Sequence, residues 1–522
     1  MRLALGNDTL FGGAGDDTIF GGVGDDVIAG GLGADLMDGG DGVDRLSYSD
    51  ATSRVVVDLL NGSVSGLYAA GDVFANFEDL EGGLGNDLLL GDSSANWIFG
   101  GANADELQGR FGNDTLEGGA GADTLDGGGN RDAVSYAGSG SSVFVNFFSG
   151  IATGGDAAGD VFSKIDDLIG SAFNDVLIGS FVANMIEGGG GADTLNGGAG
   201  LDTASYARDS VGVIVSLDSG AASGGDAAGD VLSNFENLRG GLGNDALVGD
   251  GAGNVLWGGA GIDTLTGQGG DDTLEGGASG DLLQGGDGVD WASYAAADGG
   301  VSVNLGVSGQ TGSDATGDVF SSIEAVRGSV FDDVITGDAS ENTLEGDDGA
   351  DTLAGGDGID TLSYANSDGR VVVDLLNGNA LLNHAEGDVI SGFENLTGSR
   401  LPDYLLGSSE GNVLNGGGGV DRLEARGGDD TLIGGTQNDN LKGGGGADVF
   451  VLNFGDGADL IADWQDGFDR IDLSDFQLSF GDIQAASTAL PIGALFIDLG
   501  SGDSFQINNF AMADFDSGDV IV

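Results

Sequence analysis

A period of nine residues runs through most of this chain and leaves few folds open to it. Its purest stretch reads GGAGDDTIF from Gly12, GGVGDDVIA from Gly21, GGLGADLMD from Gly30 and GGDGVDRLS from Gly39. Written GGxGxDxUx, the sixth position holds Asp17, Asp26, Asp35 and Asp44, and the eighth holds Ile19, Ile28, Met37 and Leu46. The pattern recurs thirty-one times, and every eighth position from Leu10 to Phe450 is apolar. A repeat of this kind is a unit that cannot bury its own apolar face and must stack on its neighbours. A strand of about three residues gains ladder hydrogen bonds and a shared apolar column when others lie parallel to it at roughly 4.8 Å. Two nonapeptides then make one coil, with a turn at each edge, and the expected class is all-β.

Composition alone points elsewhere. A formal charge of -71 and 108 glycines in 522 residues describe a solvated, disordered chain. The period overrides that reading, because it supplies a continuous core and sets the carboxylates where divalent cations can neutralise them. The absence of cysteine excludes disulfides and thiolate metal sites. No run of eighteen apolar residues exists, so no membrane span is expected. Fifteen basic residues against 86 acidic ones exclude nucleic acid as a partner. The chain enters a repeat at once, so no secretory signal peptide is expected.

Repeats fall into blocks at 3–47, 82–135, 170–205, 240–293, 328–363 and 398–451, of five, six, four, six, four and six copies. Spacers of 34 residues separate them, at 48–81, 136–169, 206–239, 294–327 and 364–397, each opening on a tyrosine: Tyr48, Tyr136, Tyr206, Tyr294, Tyr364. Each spacer carries an alternating strand, such as Val55, Val57 and Leu59, then a Gly-Asp pair, such as Gly71-Asp72. Each ends back in phase, with Leu80, Leu168, Leu238, Val326 and Leu396 in the apolar slot and Glu78, Asp166, Glu236, Glu324 and Glu394 in the acidic one. Flexible linkers do not keep length and register five times over, so the spacers read as widened rungs of about two coils each. Residues 1–451 form one repeat domain in this reading, and 452–522 a C-terminal cap.

The glycine positions bring backbone carbonyls to the inner face of each loop, and the aspartate closes it with a carboxylate. Mixed hard-oxygen donors select calcium, whereas zinc favours His or Cys. Candidate ligands are Asp8, Asp17, Asp26, Asp35, Asp44, Asp87, Asp105, Asp114, Asp123, Asp132, Asp175, Asp193 and Asp202, then Asp245, Asp263, Asp272, Asp281, Asp290, Asp333, Asp351, Asp360, Asp403, Asp421, Asp430, Asp439 and Asp448. On these residues the chain resembles the RTX (repeats-in-toxin) family. The resemblance implies a right-handed parallel β-roll with calcium between successive loops on each edge, and a C-terminal segment read by a type I secretion exporter. Pairing aspartates eighteen residues apart gives about 14 ions, and admitting the asparagine loops about 19. Those loops, at Asn96, Asn184, Asn254, Asn342 and Asn412, lack the aspartate and read as turns without metal; the spacer Gly-Asp loops are admitted as a few extra sites. Asn130, Ser279 and Gln437 replace the third glycine and weaken the expectation beside them.

The expected protein is secreted, extracellular or at the cell surface, folds on binding calcium and serves as a rigid structural element without catalytic activity. One alternative is the C-terminal portion of a larger secreted enzyme or adhesin. A further one is an adhesion module for cell-surface polysaccharide; the five spacer tyrosines read first as packing or capping strand ends, and in this alternative as a stacking row. The string Gly407-Ser408-Ser409-Glu410-Gly411 lies inside a repeat loop and lacks the setting of a hydrolase nucleophile.

Overall fold

The computed structural model describes residues 5–491 and 493–522; the start of the first block at Leu3 lies outside the described residues. Contacts divide it into two compact units, residues 1–259 and 260–522.

In the first unit, strands from alternate repeats go to two different sheets, because each loop reverses the chain at an edge of the coil. Each strand pairs in parallel with the one eighteen residues on. Leu10 lies beside Ile28, Ile98 beside Leu116, Ile19 beside Met37 and Leu107 beside Leu125. These eighth-position side chains are no more than 2% exposed, and together they form the core. Each contributes roughly 1.5–3 kcal/mol on burial. The second unit repeats the scheme, with Leu265 beside Leu283, Ile335 beside Leu353 and Leu344 beside Leu362.

The spacers stay in the stack, but not as two successive coils. In the third spacer Ile214–Ser216 pairs in parallel with Ala246–Val248 of the block ahead. Ala221–Ser223 then runs back antiparallel to it, and Val231–Ser233 pairs with Thr194–Asn196 of the block behind. On the opposite sheet the spacer adds a single strand, Asn237–Arg239, lodged between Thr203–Ser205 and Val255–Ala260. The chain thus jumps forward and folds back, and one sheet gains one strand where the other gains three. The reversal turns on Gly220, whose φ of 65° is open to glycine at little cost. Val372–Asp374, Asn379–Leu381 and Val389–Ser391 follow the same course in the second unit.

Parallel pairing runs on past Val451, with Phe450 beside Ile471 and Leu441 beside Ile461. Asp503–Ile507 then covers Ala458–Ile461, and Val520–Ile521 covers Arg470–Asp472. The one α-helix among the described residues, Phe480–Ala486, begins at a capping box of Ser479 and Asp482. Among the described residues no helix is long and apolar enough to cross a membrane.

Candidate metal centres

All of the candidate aspartates except Asp8 and Asp17 are buried, at the two edges of the coils. One carboxylate oxygen, Oδ1, accepts the backbone N–H of the sixth-position residue one coil earlier. On one edge Asp8 donates to Asp26 and Asp26 to Asp44, both at 2.8 Å; on the other Asp87 donates to Asp105 at 2.7 Å and Asp105 to Asp123 at 2.8 Å. The second unit carries the same ladder through Asp263, Asp281, Asp333, Asp351, Asp403, Asp421 and Asp439 on one edge, and through Asp272, Asp290, Asp360, Asp430 and Asp448 on the other.

The other oxygen, Oδ2, behaves differently. In Asp26, Asp35, Asp44, Asp105, Asp114, Asp123, Asp132, Asp193 and Asp202 it is buried without a hydrogen-bond partner among the described residues. The same holds for Asp281, Asp290, Asp351, Asp360, Asp421, Asp430, Asp439 and Asp448. A buried anionic oxygen with no donor is costly unless a cation meets it. Its surroundings fit one. A Cβ on Gly100 would stand 2.6 Å from the Gly118 carbonyl oxygen and 2.7 Å from Asp105 Oδ2, so the first glycine keeps a carboxylate and a carbonyl facing one cleft. Among the described residues no three acidic or histidine side chains converge as a metal cluster. Backbone carbonyls must therefore supply most ligands, which suits calcium and excludes a zinc-type site.

Burial raises the proton affinity of these groups. Asp105, Asp351 and Asp421 are pushed up to about 8, chiefly by desolvation and then by the neighbouring carboxylates, against the backbone hydrogen bond that each accepts. Asp114, Asp123, Asp193 and Asp281 stand at about 7 for the same reason.

Five candidates differ. Asp87 Oδ1 accepts from Val55 N and Oδ2 from Gly83 N, both at 2.8 Å. Asp175, Asp245, Asp333 and Asp403 likewise take the backbone of a spacer strand on Oδ1 and of their own loop on Oδ2. These carboxylates staple the spacer hairpin to the roll. In the same coils stand the asparagines. Asn96 Oδ1 accepts from Asp92 N at 2.9 Å, while its Nδ2 donates to the Glu78 carbonyl at 2.6 Å. The amide thus occupies one carbonyl that a cation would use, and Asn184, Asn254, Asn342 and Asn412 repeat the contact. The opening coil of each block after the first is tied together by its own side chains on both edges.

Asn130, Ser279 and Gln437 adopt φ of 78°, 103° and 86°, keeping the loop conformation of the glycines they replace. The following Asp132, Asp281 and Asp439 keep the same ladder bonds as their neighbours.

The spacer tyrosines are at most 4% exposed, packed as their first reading has it, and form no stacking row. Each donates to the spacer aspartate 24 residues on, Tyr48 to Asp72 at 3.1 Å and Tyr136 to Asp160 at 2.9 Å, with Tyr206–Asp230, Tyr294–Asp318 and Tyr364–Asp388 alike. The second oxygen of that aspartate accepts the N–H of the last repeat aspartate behind it, such as Asp35 or Asp123. Both its oxygens are therefore used, and the Gly-Asp loops close the column where extra ions were expected. The constant 24-residue separation was the signal for this pair. A second missed residue is Arg110, which grips Asp58 of the spacer hairpin through two bonds of 2.8 and 2.9 Å and holds that carboxyl at about 2; Arg426 does the same to Asp374. Ser408 and Ser409 lie in a turn between strands Tyr404–Leu406 and Val413–Asn415, not at a strand-to-helix elbow.

A family model described as RTX calcium-binding nonapeptide repeat (4 copies) matches residues 4–37, 11–46, 75–107, 99–134, 169–204, 233–265, 266–293, 327–362, 397–432 and 424–461. Together these cover more than half of the chain. No curated protein matches it. Among solved structures, the extracellular lipase LipA from Serratia marcescens is similar at 19% identity and a TM-score of 0.20, over 38% of this chain and 40% of that one, so the chain spans less than half of that structure's length.

Proposed function

The chain belongs to the RTX calcium-binding nonapeptide repeat family, and from that premise we propose that it is a secreted β-roll that folds on binding calcium and acts as a rigid extracellular or cell-surface element without catalytic activity. The observation that supports this reading is the ladder of buried Oδ2 atoms without donors, several of them, such as those of Asp26, Asp44, Asp105 and Asp132, sharing a cleft with a backbone carbonyl. In this reading the repeat aspartates with such an oxygen hold the ions, and leaving out the five pairs that open on a stapled aspartate takes the expected number from about 14 to about nine in the roll. Asp87, Asp175, Asp245, Asp333 and Asp403 serve chiefly as staples. A bound cation supplies the charge that lets the carboxylates stay ionised in a dry setting.

The side chains do the rest. The Oδ1 ladder fixes each aspartate at the right height, and the first glycine leaves the cleft open. The apolar column needs neighbouring coils to be in register, so ordering one loop favours the next. At low calcium the acidic chain remains expanded, which suits passage through a type I exporter; the segment from Leu452 would be both end cap and export signal. Circular dichroism with and without calcium, together with mass spectrometry of the intact loaded chain, tests this. Full β signal in chelator, or fewer than about eight ions bound, would overturn it.

A further inference from the structure

The first unit carries a feature that lies mostly on a sheet face and meets the metal edge only at Asn113 and Asp114. On the outward face of one sheet lies an open groove of about 470 Å³ that crosses successive strands. Its residues fall in two neighbouring outward rows: Thr115 lies beside Ala133, Ala133 beside Asp167 and Met185 beside Thr203 in one, while Arg239 lies beside Trp257 in the other, two residues further along the strands. Strands step by roughly 4.8 Å, so the path from Thr115 to Trp257 is about 29 Å long and runs along the roll axis.

Three arginines border this groove, Arg131, Arg208 and Arg239, in a chain with fifteen basic residues and a net charge of -71. Gathering them in one place runs against the field of the whole molecule, and two of them are not held by a hydrogen-bonded carboxylate. Arg131 is the exception: its fork grips Asp167, which also lines the groove, through two bonds of 2.8 and 2.7 Å. Arg208 stands 3.7 Å from Glu187 with 56% exposed. Arg239 is exposed and makes no ion pair among the described residues. Beside it Trp257 offers a half-buried indole face, and Ala133 and Thr203 leave a shallow floor.

We propose that this groove binds a linear acidic saccharide whose sugars carry carboxylates. Guanidinium forks pair with carboxylates in two-bond geometry, an indole face stacks on a sugar ring, and threonine and asparagine side chains match hydroxyls. A straight, shallow track suits a linear glycan, whereas an acidic peptide would need pockets for alternate side chains, which the small floor residues do not form. The site adjoins the calcium ladder at Asp114 and relies on it for a folded roll, while Arg208, Arg239 and Trp257 lie outside the ladder.

The test uses the full calcium-loaded chain and calorimetry with a hyaluronan oligosaccharide of about eight sugars, long enough to span the groove. A neutral chitin oligosaccharide of equal length and an oligoglutamate peptide are the controls. Binding of the acidic saccharide alone is expected, weakened about tenfold or more by Arg208→Ala with Arg239→Ala, and by Trp257→Ala, but much less by Trp257→Phe. These side chains point outward, so calcium-induced circular dichroism should be unchanged in each variant; that readout separates loss of the groove from loss of the roll. Absence of saccharide binding by a chain that folds normally with calcium, equal binding of the peptide or the neutral glycan, or indifference to the substitutions would each overturn the proposal.

Discussion

Stripping calcium should make the fold depend on acid. The carboxylate of Asp114 rises from 3.8 to about 7 in the fold, mainly through burial. Each tenfold gain in proton affinity is worth about 1.4 kcal/mol, so above neutrality this one group costs the calcium-free fold on the order of 4 kcal/mol. Asp123, Asp193 and Asp281 stand at about 7 as well, and Asp105, Asp351 and Asp421 at about 8. A whole domain is stable by only about 5–15 kcal/mol, so a few such groups suffice to unfold the roll. The sign follows from the direction of the shift. A folded value above the unfolded one adds stability that is complete below the unfolded value and is lost as pH rises through the folded one. The calcium-free chain should therefore be unfolded near pH 8 and regain β structure towards about pH 5, whereas the calcium-loaded chain stays folded across that range. Far-UV circular dichroism of metal-stripped protein, stepped through pH in both directions at low concentration, measures this. β signal that persists near pH 8 without calcium, or that falls on acidification, would refute the reasoning.

At about pH 5, where the calcium-free chain is folded with Asp105, Asp351 and Asp421 protonated, calcium uptake should release protons from them, read as a buffer-dependent heat in calorimetry. Asp26→Ala should weaken cooperative calcium uptake, because Asp26 lies between Asp8 and Asp44 in the ladder, while Asn96→Ala should lower stability and leave the ion count unchanged; equal losses of affinity would sink this distinction. Tyr136→Phe leaves a buried oxygen of Asp160 without its donor and should cost about 1–3 kcal/mol, seen as a lower melting temperature in calcium. Arg110→Ala breaks a partly exposed pair with Asp58 and should cost about 1 kcal/mol or less, with the Asp58 carboxyl returning towards its ordinary range in an NMR titration.

The core was legible in the sequence because one constraint, an apolar side chain every nine residues, fixes both the strand and its neighbour eighteen residues away. The alignment of the repeat aspartates along the two coil edges was legible for the same reason. Chain order inside the spacers was not. Val213 and Val215 announce a strand, but a strand carries no sign of whether it pairs with the coil behind or the coil ahead; that is settled by the turn at Gly220 and by the carboxylate of Asp245 waiting for the N–H of Val213. That the tyrosines pack was legible, but their hydrogen-bond partner was not, because it lies 24 residues distant in the Gly-Asp pair. Asp87 and its counterparts look like every other repeat aspartate in sequence, and only the neighbouring hairpin separates staple from ligand.

The coils held by a stapled aspartate and an asparagine have a kinetic consequence. Asp87 with Asn96, Asp175 with Asn184, Asp245 with Asn254, Asp333 with Asn342 and Asp403 with Asn412 mark five places where a rung closes on hydrogen bonds of its own. In a one-dimensional stack the slow event is making the first rung, after which growth is local. Five built-in nuclei would let ordering start at several points at once, so the time to fold should scale with the distance between nuclei and not with the length of the chain. At half-saturating calcium such a molecule would hold ordered seeds with loose stretches between them, and would answer rising calcium by zipping those gaps shut one at a time.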